Sequence, residues 1–228
     1  MMLYKEKTVS FVTGAPGTGK SSIMETIASL SRQAGRKPRK INDYVYLTKL
    51  AQRNRHNPRL VTWHEDGKGG EYFLVEPTAY PETSTLVAAT IARNLWWWLL
   101  WSDDLIIEFA RGAGVDGSRD QYDQHGFDIL YPKAKKLAKV ANMEVVVHDT
   151  DLVHQRMNAR LELDPTAAPA FVHDKYLDHN GKQLSSVMQA VKYSFVVNEQ
   201  IDNGGRPDET EMLVASLFQR LVSTPSVR

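Results

Sequence analysis

Residues 14–21, with the sequence GAPGTGKS, constrain the fold of this chain more than any other segment. An apolar run at 9–13 precedes them, and a helical pattern at 22–33 follows them. Glycines spaced in this way allow the backbone to turn sharply between a strand and a helix. The pattern therefore predicts a strand, a tight glycine-rich loop and a helix, which is a typical unit of a parallel α/β sheet.

The residue types in this loop are those that hold phosphate groups. The backbone N–H groups of such a loop turn inward, and the N-terminus of the following helix adds its positive end. In a P-loop of this pattern the lysine, Lys20, reaches the β- and γ-phosphates, and the hydroxyl of Ser21 binds Mg²⁺. We therefore predict ATP and Mg²⁺ as cofactors, with the nucleotide held by Gly14, Ala15, Pro16, Gly17, Thr18, Gly19, Lys20, Ser21 and Ser22.

The rest of the hydrophobic pattern alternates between strands and helices. Strands are predicted at 8–13, 39–43, 105–109, 143–148 and 193–197, and helices at 22–34, 44–55, 82–101, 132–141, 150–163 and 208–221. A glycine-rich turn between two alternating segments predicts a β-hairpin within 56–82, inserted over the site of a second substrate. The polar, glycine-rich residues 112–126 are predicted to form a mobile loop. Together these features predict one domain over 1–228, an α/β P-loop NTPase fold whose five-stranded parallel sheet has helices on both faces.

Composition excludes several classes of protein. The 228 residues are 42% apolar and 24% charged with a net charge of +1, as in ordinary globular proteins. They include no cysteine, which excludes disulfides, zinc–thiolate sites and thiol catalysis. The first residues lack a signal-peptide pattern, and the tryptophan-rich run at 95–101 is shorter than the roughly 20 apolar residues that span a membrane. We expect a cytoplasmic protein, in the host cytoplasm if it is viral, with no membrane partner.

The sequence LWWWLLWSDDLIIEFARG at 95–112 joins the end of a predicted helix to a short strand. Ligands of open parallel sheets bind beyond the carboxyl ends of the strands. We predict that this strand lies beside the P-loop strand, so that Glu108 is near Mg²⁺ or the second substrate and Arg111 binds a phosphate. The tryptophans are predicted to form core or a seam between helices, with base stacking by Trp98 or Trp101 as the alternative.

Basic residues are concentrated between positions 36 and 59. Two interpretations are open for them, a solvated face or a phosphate-binding surface on which Arg39 contacts the substrate. Asp43 is the one acid in this interval, and it caps the following helix, accepts a proton from an attacking hydroxyl, or does both. The eight cations are Arg36, Lys37, Arg39, Lys40, Lys49, Arg53, Arg55 and Arg59.

Two arginines and an asparagine in the second half of the chain are further candidates. Arg156 and Arg160 lie four residues apart in a predicted helix and therefore share a face. They are either surface residues or lid residues that offset the charge of a transferring phosphoryl group. Asn198 ends the last predicted strand, where we predict contact with adenine, with a structural cap of the strand end as the alternative.

These segments together resemble the P-loop kinase superfamily, which includes nucleoside, nucleotide and polynucleotide kinases. KINDYVYL at 40–47 is similar to a segment of polynucleotide 5′-hydroxyl kinases that contains the general base, which implies that role for Asp43. VHQRMNAR at 153–160 is similar to their lid helix, which implies a lid at 150–183 and contact of Arg156 or Arg160 with the transferring phosphate. PAFVHDKYLDH resembles the segment after the lid, whereas EFARG departs from the pattern.

The resemblance implies transfer of the γ-phosphoryl group of ATP to a hydroxyl on a nucleic acid. The acceptor would be a 5′-hydroxyl end or, as in phage-type DNA kinases, a 5-hydroxymethyl pyrimidine flipped out of DNA. The basic residues at 36–59 would bind the phosphodiester backbone. The alternatives are a small-molecule nucleoside or nucleoside-monophosphate kinase and, more distantly, a nucleotide-binding switch without catalysis.

Overall fold

The protein's structure is a computed structural model, and it describes residues 6–14, 17–65, 70–109, 119–163 and 194–225. The described strands are β1 (Thr8–Thr13), β2 (Pro38–Asn42), β3 (Val61–Glu65), β4 (Glu71–Val75), β5 (Asp104–Glu108), β6 (Lys139–Val146) and β7 (Val197–Asp202). The described helices are α1 (Lys20–Gln33), α2 (Asp43–Arg53), α3 (Tyr80–Trp101), α4 (Arg119–Leu137), α5 (Thr150–Leu163) and α6 (Pro207–Ser223), with a 3₁₀ turn at Pro77–Ala79.

Five strands form one parallel sheet in the order β2-β5-β1-β6-β7. The strand LIIEF lies between β2 and the P-loop strand β1, as predicted. Glu108 at its end is in register with Val12 of β1 and Asn42 of β2. The predicted α/β fold with a five-stranded parallel sheet is confirmed, and the carboxyl ends of β1, β2 and β5 meet at one edge.

Apolar side chains cover both faces of the sheet because successive residues of a strand point to opposite faces. In β1, Phe11 belongs to the cluster with α3 and α4, whereas Val12 belongs to the cluster with α1 and α6. Both side chains are fully buried, and burial of each such side chain stabilises the fold by about 1.5–3 kcal/mol. The two clusters hold the helices against the sheet and so position the loops at its carboxyl edge.

A buried carboxylate, Asp104, joins three elements at the opposite, amino edge. It accepts hydrogen bonds from Thr8 Oγ1 at 2.7 Å, Ser31 Oγ at 2.5 Å and the Arg36 guanidinium at 2.6 Å. A buried charge without such partners would be strongly destabilising. Arg36 therefore serves the packing of the fold, although the sequence groups it with the exposed basic residues.

The β-hairpin predicted within 56–82 is present. β3 and β4 pair antiparallel, with Trp63 opposite Phe73. The hairpin is attached to α2, the helix that begins at Asp43, by a separate small cluster. The buried members of this cluster are Ala51, Val61, Val75 and Ala79.

The tryptophan-rich end of α3 departs from the prediction. Trp98 is buried, but Trp96, Trp97 and Trp101 are 58%, 54% and 69% exposed, so the prediction of core or seam is wrong for these three. With 3.6 residues per turn, Leu95 and Trp98 share the buried face and the other three indoles turn away from it. Among the described helices, none is long and apolar enough to cross a membrane.

Helix α4 begins earlier than predicted. It includes residues 119–126, so the predicted loop is wrong over that range, and residues 112–118 lie outside the described part. Gly126 marks close packing and not a loop, because it is buried and a Cβ there would come within 2.3 Å of Phe109 Cζ. Pro132 lies inside the helix, where the sequence predicts a helix start.

Strand β6 also begins earlier than predicted. The helix that the sequence predicts over 132–141 ends at Leu137, and β6 begins at Lys139. The ammonium group of Lys139 lies 2.5 Å from the Glu6 carboxylate. This ion pair provides a partner for the charge of the buried Lys139, whose residue type in the sequence is typical of an exposed helix.

The last strand is Val197–Asp202 and not 193–197. It is polar because it lies at the edge of the sheet, where one side is open. Glu199, for example, forms an ion pair with Arg220 at 2.6 Å. The prediction followed the apolar residues that precede this strand, and it therefore placed the strand four to five residues too early.

Candidate active site

The glycine-rich loop follows β1 at the carboxyl edge of the sheet. Gly14 and Gly19 have φ angles of +130° and +89°, which L side chains rarely adopt. A Cβ at Gly14 would lie 2.1 Å from the carbonyl oxygen of Val145, and one at Gly19 would lie 2.2 Å from Asn203 Nδ2. Glycine is therefore required at both positions by backbone conformation and by space.

The loop leads into α1, which begins at Lys20 with Gly19 as its N-cap. The first turn contains no acidic side chain, so the chain itself does not neutralise the positive end of this helix. The side chains of Ser21 and Ser22 are exposed there. This geometry is suited to a bound anion. Two predicted loop residues, Ala15 and Pro16, lie outside the described part of the chain.

Lys20 belongs to a buried group of charges at the ends of β2 and β5. Its Nζ lies 3.6 Å from Glu108 Oε1. Asp43 is also buried and acts on Lys20 electrostatically. Burial lowers the pKa of Lys20, and the negative charges of Glu108 and Asp43 oppose that effect in part. Three residues from distant parts of the sequence meet here because parallel strands end at a common edge.

Asp43 does not cap α2. The cap is Asn42, whose side-chain oxygen accepts a hydrogen bond from Tyr44 N at 2.8 Å. Asp43 is the first residue inside the helix, and its side chain is buried. Of the two interpretations left open by the sequence, the cap is therefore excluded.

Helix α5 packs over the glycine-rich loop. A Cβ at Gly17 would lie 2.8 Å from Val153 Cγ1 and 2.9 Å from Met157 Cγ, two side chains on the inner face of α5. On the same helix, Arg156 Nη2 donates a hydrogen bond to the carbonyl oxygen of Asn203 at 2.9 Å. Helix α5 therefore lies directly against the glycine-rich loop.

The other terminal nitrogen of Arg156 faces the loop. Nη1 lies 3.8 Å from the point that a Cβ of Gly19 would occupy. It is buried and has no hydrogen-bond partner within the described residues, an arrangement that costs about 1–3 kcal/mol or more for a charged donor. A bound phosphate would supply the acceptor. Arg160 is exposed one turn further along, and its charge also contributes to the lowered pKa of Lys20.

Asn203 links three parts of the site. Its Nδ2 donates to the carbonyl oxygen of Thr18 at 2.8 Å, and its backbone N–H donates to that of Val146 at 2.8 Å. Its own carbonyl oxygen holds Arg156. Sequence reasoning missed this residue, although its position in DNGG directly after the last strand was the available signal.

Asn198 and Arg39 do not join this group. Asn198 lies inside β7 and accepts a hydrogen bond from Asn142 Nδ2 at 2.8 Å, so the prediction that it ends a strand near adenine is wrong in its placement. Arg39 lies toward the amino end of β2, with its guanidinium 5.3 Å from the centre of the Trp98 ring. Arg39 therefore lies three residues before the carboxyl end of β2, and its contact with a substrate stays a prediction. Arg111 lies outside the described residues.

The donor set at the loop fits ATP and Mg²⁺. Ser21 and Glu108 offer a hydroxyl and a carboxylate, the oxygen ligands that Mg²⁺ prefers. Within the described ranges no three His, Asp or Glu side chains form a metal site by themselves. A bound Mg²⁺ would therefore share its ligands between these two residues and the phosphate oxygens of the nucleotide, as is usual for this ion.

No protein-family model matches this sequence, and no curated protein is significantly similar to it. Solved structures are similar in fold. A sugar kinase from Janibacter sp. HTCC2649 superposes with a TM-score of 0.52 at 12% identity over 96% of this chain and 99% of its own. Shikimate kinase from Acinetobacter baumannii, in complex with shikimate, gives 0.51 at 11% identity over 96% and 95%. This chain therefore has an α/β fold of the P-loop NTPase type, as these two structures do. At such identities the likeness extends to the fold and not to the substrate.

Proposed function

We propose that this protein is an ATP-dependent kinase that phosphorylates a hydroxyl. The observation that carries the proposal is the buried carboxylate of Asp43, within electrostatic reach of Lys20 at the phosphate-binding loop. An attacking hydroxyl must lose a proton, whereas a phosphate acceptor has none that needs a dedicated base. A carboxylate in this position therefore favours a hydroxyl acceptor.

In the proposed reaction the acceptor oxygen forms a bond to the γ-phosphorus while the bond from that phosphorus to the bridging oxygen of ADP breaks. The electron pair of the broken bond leaves with ADP, and the hydroxyl proton passes to Asp43. Lys20 and Arg156 offset the negative charge on the phosphoryl oxygens. Ser21 and Glu108 would hold Mg²⁺, which supplies further positive charge at the phosphates when bound.

The substitution Asp43→Asn tests this proposal. The variant should bind ATP as the wild type does, but phosphoryl transfer should fall on the order of 10²- to 10⁴-fold because the base is lost. Asp208→Asn is the matched control, since Asp208 is exposed in the first turn of α6. Unchanged turnover of Asp43→Asn would exclude Asp43 as the base.

For the acceptor we propose a nucleic-acid hydroxyl, at a 5-hydroxymethyl pyrimidine in DNA or at a 5′-hydroxyl end. The support is a set of exposed cations along α2 and its flanks, which would attract a phosphodiester backbone. If all three neutralise phosphates, the logarithm of affinity should fall with the logarithm of salt with a slope of about −2 to −3. The three are Lys49, Arg53 and Arg59.

A small-molecule alcohol is the second candidate, because four other cations in this interval are engaged within the chain and Lys37 lies at the amino edge of the sheet. Lys40 pairs with Glu25 at 2.5 Å, and Arg55 pairs with Glu71. Arg36 and Arg39 contact Asp104 and Trp98, as described above. Three of the eight cations in this interval therefore remain to bind a phosphodiester backbone.

A label-transfer assay with γ-labelled ATP and Mg²⁺ separates these candidates. One reaction contains 5′-hydroxyl oligonucleotides with and without hydroxymethyl pyrimidines, and the other contains nucleosides, monophosphates and simple sugars. Label in the polymer with a steep salt dependence favours the nucleic-acid kinase, and label confined to small molecules favours the second candidate. Tight ATP binding without product from any acceptor would contradict the kinase proposal altogether.

A further inference from the structure

A row of aromatic rings begins beside the candidate base. Tyr44, the residue after Asp43, stacks on Phe73 of the hairpin, with ring centroids 5.8 Å apart and planes inclined by 14°. Phe73 in turn contacts Trp63, at a centroid distance of 5.4 Å. Tyr44 is 46% exposed, so the row is open to solvent at the end nearest to Asp43.

The row is held in place by contacts behind it. The Arg55 guanidinium lies 4.7 Å from the centre of the Trp63 ring, and the same arginine pairs with Glu71 at the start of β4. The hairpin and α2 also share a buried apolar cluster. Tyr44 and Phe73 are therefore fixed by tertiary contacts on both elements, and a ligand that stacks on them would not have to order them first.

An exposed, fixed aromatic face is a surface for another planar ring. Aromatic rings pair in offset-stacked arrangements with centroids about 4.5–7 Å apart, and nucleobases stack on aromatic side chains in this way whatever their sequence. An alcohol without a planar ring gains no such contact. Tyr44 directly follows Asp43 in the first turn of α2, so a ligand that stacks on this ring lies beside the helix turn that carries the carboxylate.

We propose that Tyr44 and Phe73 form a stacking platform for the phosphoryl acceptor, which therefore carries a nucleobase together with its hydroxyl. This inference rests on the proposed function, because it requires the ring and the hydroxyl delivered to Asp43 to belong to one molecule. The platform restricts where the ring lies and so directs the hydroxyl toward the base. A free nucleoside and a nucleotide within a DNA strand present the same ring.

The variant Tyr44→Leu removes the exposed ring of the platform, and Phe73→Leu removes the ring that supports it. Loss of one stacking contact should lower kcat/KM for base-bearing acceptors about 5- to 150-fold, and Tyr44→Phe should retain the wild-type value. The matched control is Tyr72→Leu. Tyr72 lies on the opposite face of the same hairpin, where its ring stacks on His64 at 5.3 Å. Thermal unfolding of each variant shows whether it is folded. If Phe73→Leu does not fold, Tyr44→Leu alone still tests the proposal.

The acceptors are chosen to separate the sources of the ring. Free nucleosides form one set, oligonucleotides with the same bases form a second, and glucose and shikimate form a third that lacks a nucleobase. Losses of kcat/KM that are confined to Tyr44→Leu and Phe73→Leu support the platform. The set of acceptors in which these losses occur shows whether the ring belongs to a free nucleoside or to an oligonucleotide. Equal losses in Tyr72→Leu, or transfer to glucose or shikimate that is unaffected by Tyr44→Leu, would overturn it.

A binding measurement separates failure of the platform from failure of the kinase proposal. Equilibrium dialysis of labelled nucleosides and oligonucleotides against protein saturated with ADP and Mg²⁺ requires no turnover. If these ligands bind and Tyr44→Leu weakens them about 5- to 150-fold, but no acceptor is phosphorylated, the platform stands and the kinase proposal fails. If none of them binds while another alcohol is phosphorylated, the kinase proposal stands and the platform is excluded.

Discussion

Replacement of Gly19 by alanine tests the geometry of the phosphate-binding loop, and its effect follows from two terms. An L residue at a φ of +89° is strained by about 1–2 kcal/mol. The new Cβ would lie 2.2 Å from Asn203 Nδ2, so the amide must move by about 1 Å to reach an ordinary contact distance. That movement breaks its hydrogen bond to Thr18, which contributes about 0.5–1.5 kcal/mol. The sum is about 1.5–3.5 kcal/mol of lost stability.

Thermal unfolding measures this loss. For a chain of 228 residues, each kcal/mol shifts Tm by about 2–4 °C, so Gly19→Ala should lower Tm by about 3–14 °C. Gly205→Ala is the control, because a Cβ there meets no heavy atom within 4 Å. Its free energy of unfolding should change by no more than about 0.5 kcal/mol.

The double variant Gly19→Ala with Asn203→Ala isolates the steric term. Since alanine at 203 has no amide to displace, the two substitutions should destabilise the protein by less than the sum of their separate effects. A Gly19→Ala protein that unfolds at the same temperature as Gly205→Ala would refute the reasoning, and strictly additive effects would refute the contact with Asn203.

Three further predictions concern charged groups. Arg156→Gln should lower kcat on the order of 10²- to 10³-fold, because the buried Nη1 faces the loop. The substitution of the exposed Arg160 by glutamine should lower kcat less. Equal effects of the two variants in a steady-state ADP-release assay would contradict this geometry. Asp104→Asn should reduce the free energy of unfolding by about 3–5 kcal/mol, because Arg36 loses its buried carboxylate. An unchanged midpoint of urea denaturation would count against that ion pair. Burial lowers the pKa of Lys20 below 10.5, so the folded chain releases this proton at lower pH than the unfolded chain. Wild type should therefore gain stability relative to Lys20→Met as pH rises from the lowered pKa toward 10.5, and a constant difference in denaturation curves would refute the shift.

The sheet and the P-loop edge were predictable because their constraints are local or topological. Glycines in a strand–loop–helix context admit few backbone solutions. Once the sheet is parallel, residues at strand ends must meet at one edge, which brings Glu108 and Asp43 to Lys20. The sequence did not distinguish Asn42 from Asp43 as the helix cap, since both side chains suit that position.

Other features depend on contacts that the sequence does not display. Gly126 suggests a loop by composition, but it allows helix α4 to approach Phe109. The charge of Arg39 does not reveal that its guanidinium lies over the ring of Trp98, toward the amino end of β2. In both cases tertiary packing decided between local alternatives that composition left equal.

The exposed end of α3 also affects the tryptophan fluorescence of the protein. The protein has five tryptophans. The ring centroid of Trp97 lies 6.3 Å from that of Trp96 and 6.3 Å from that of Trp101. Indoles at such separations exchange excitation energy, so light absorbed by any of the three is emitted from rings in contact with water. Emission from this surface will therefore respond to dissolved quenchers, and a shift to shorter wavelength reports that the outer face of α3 has become covered.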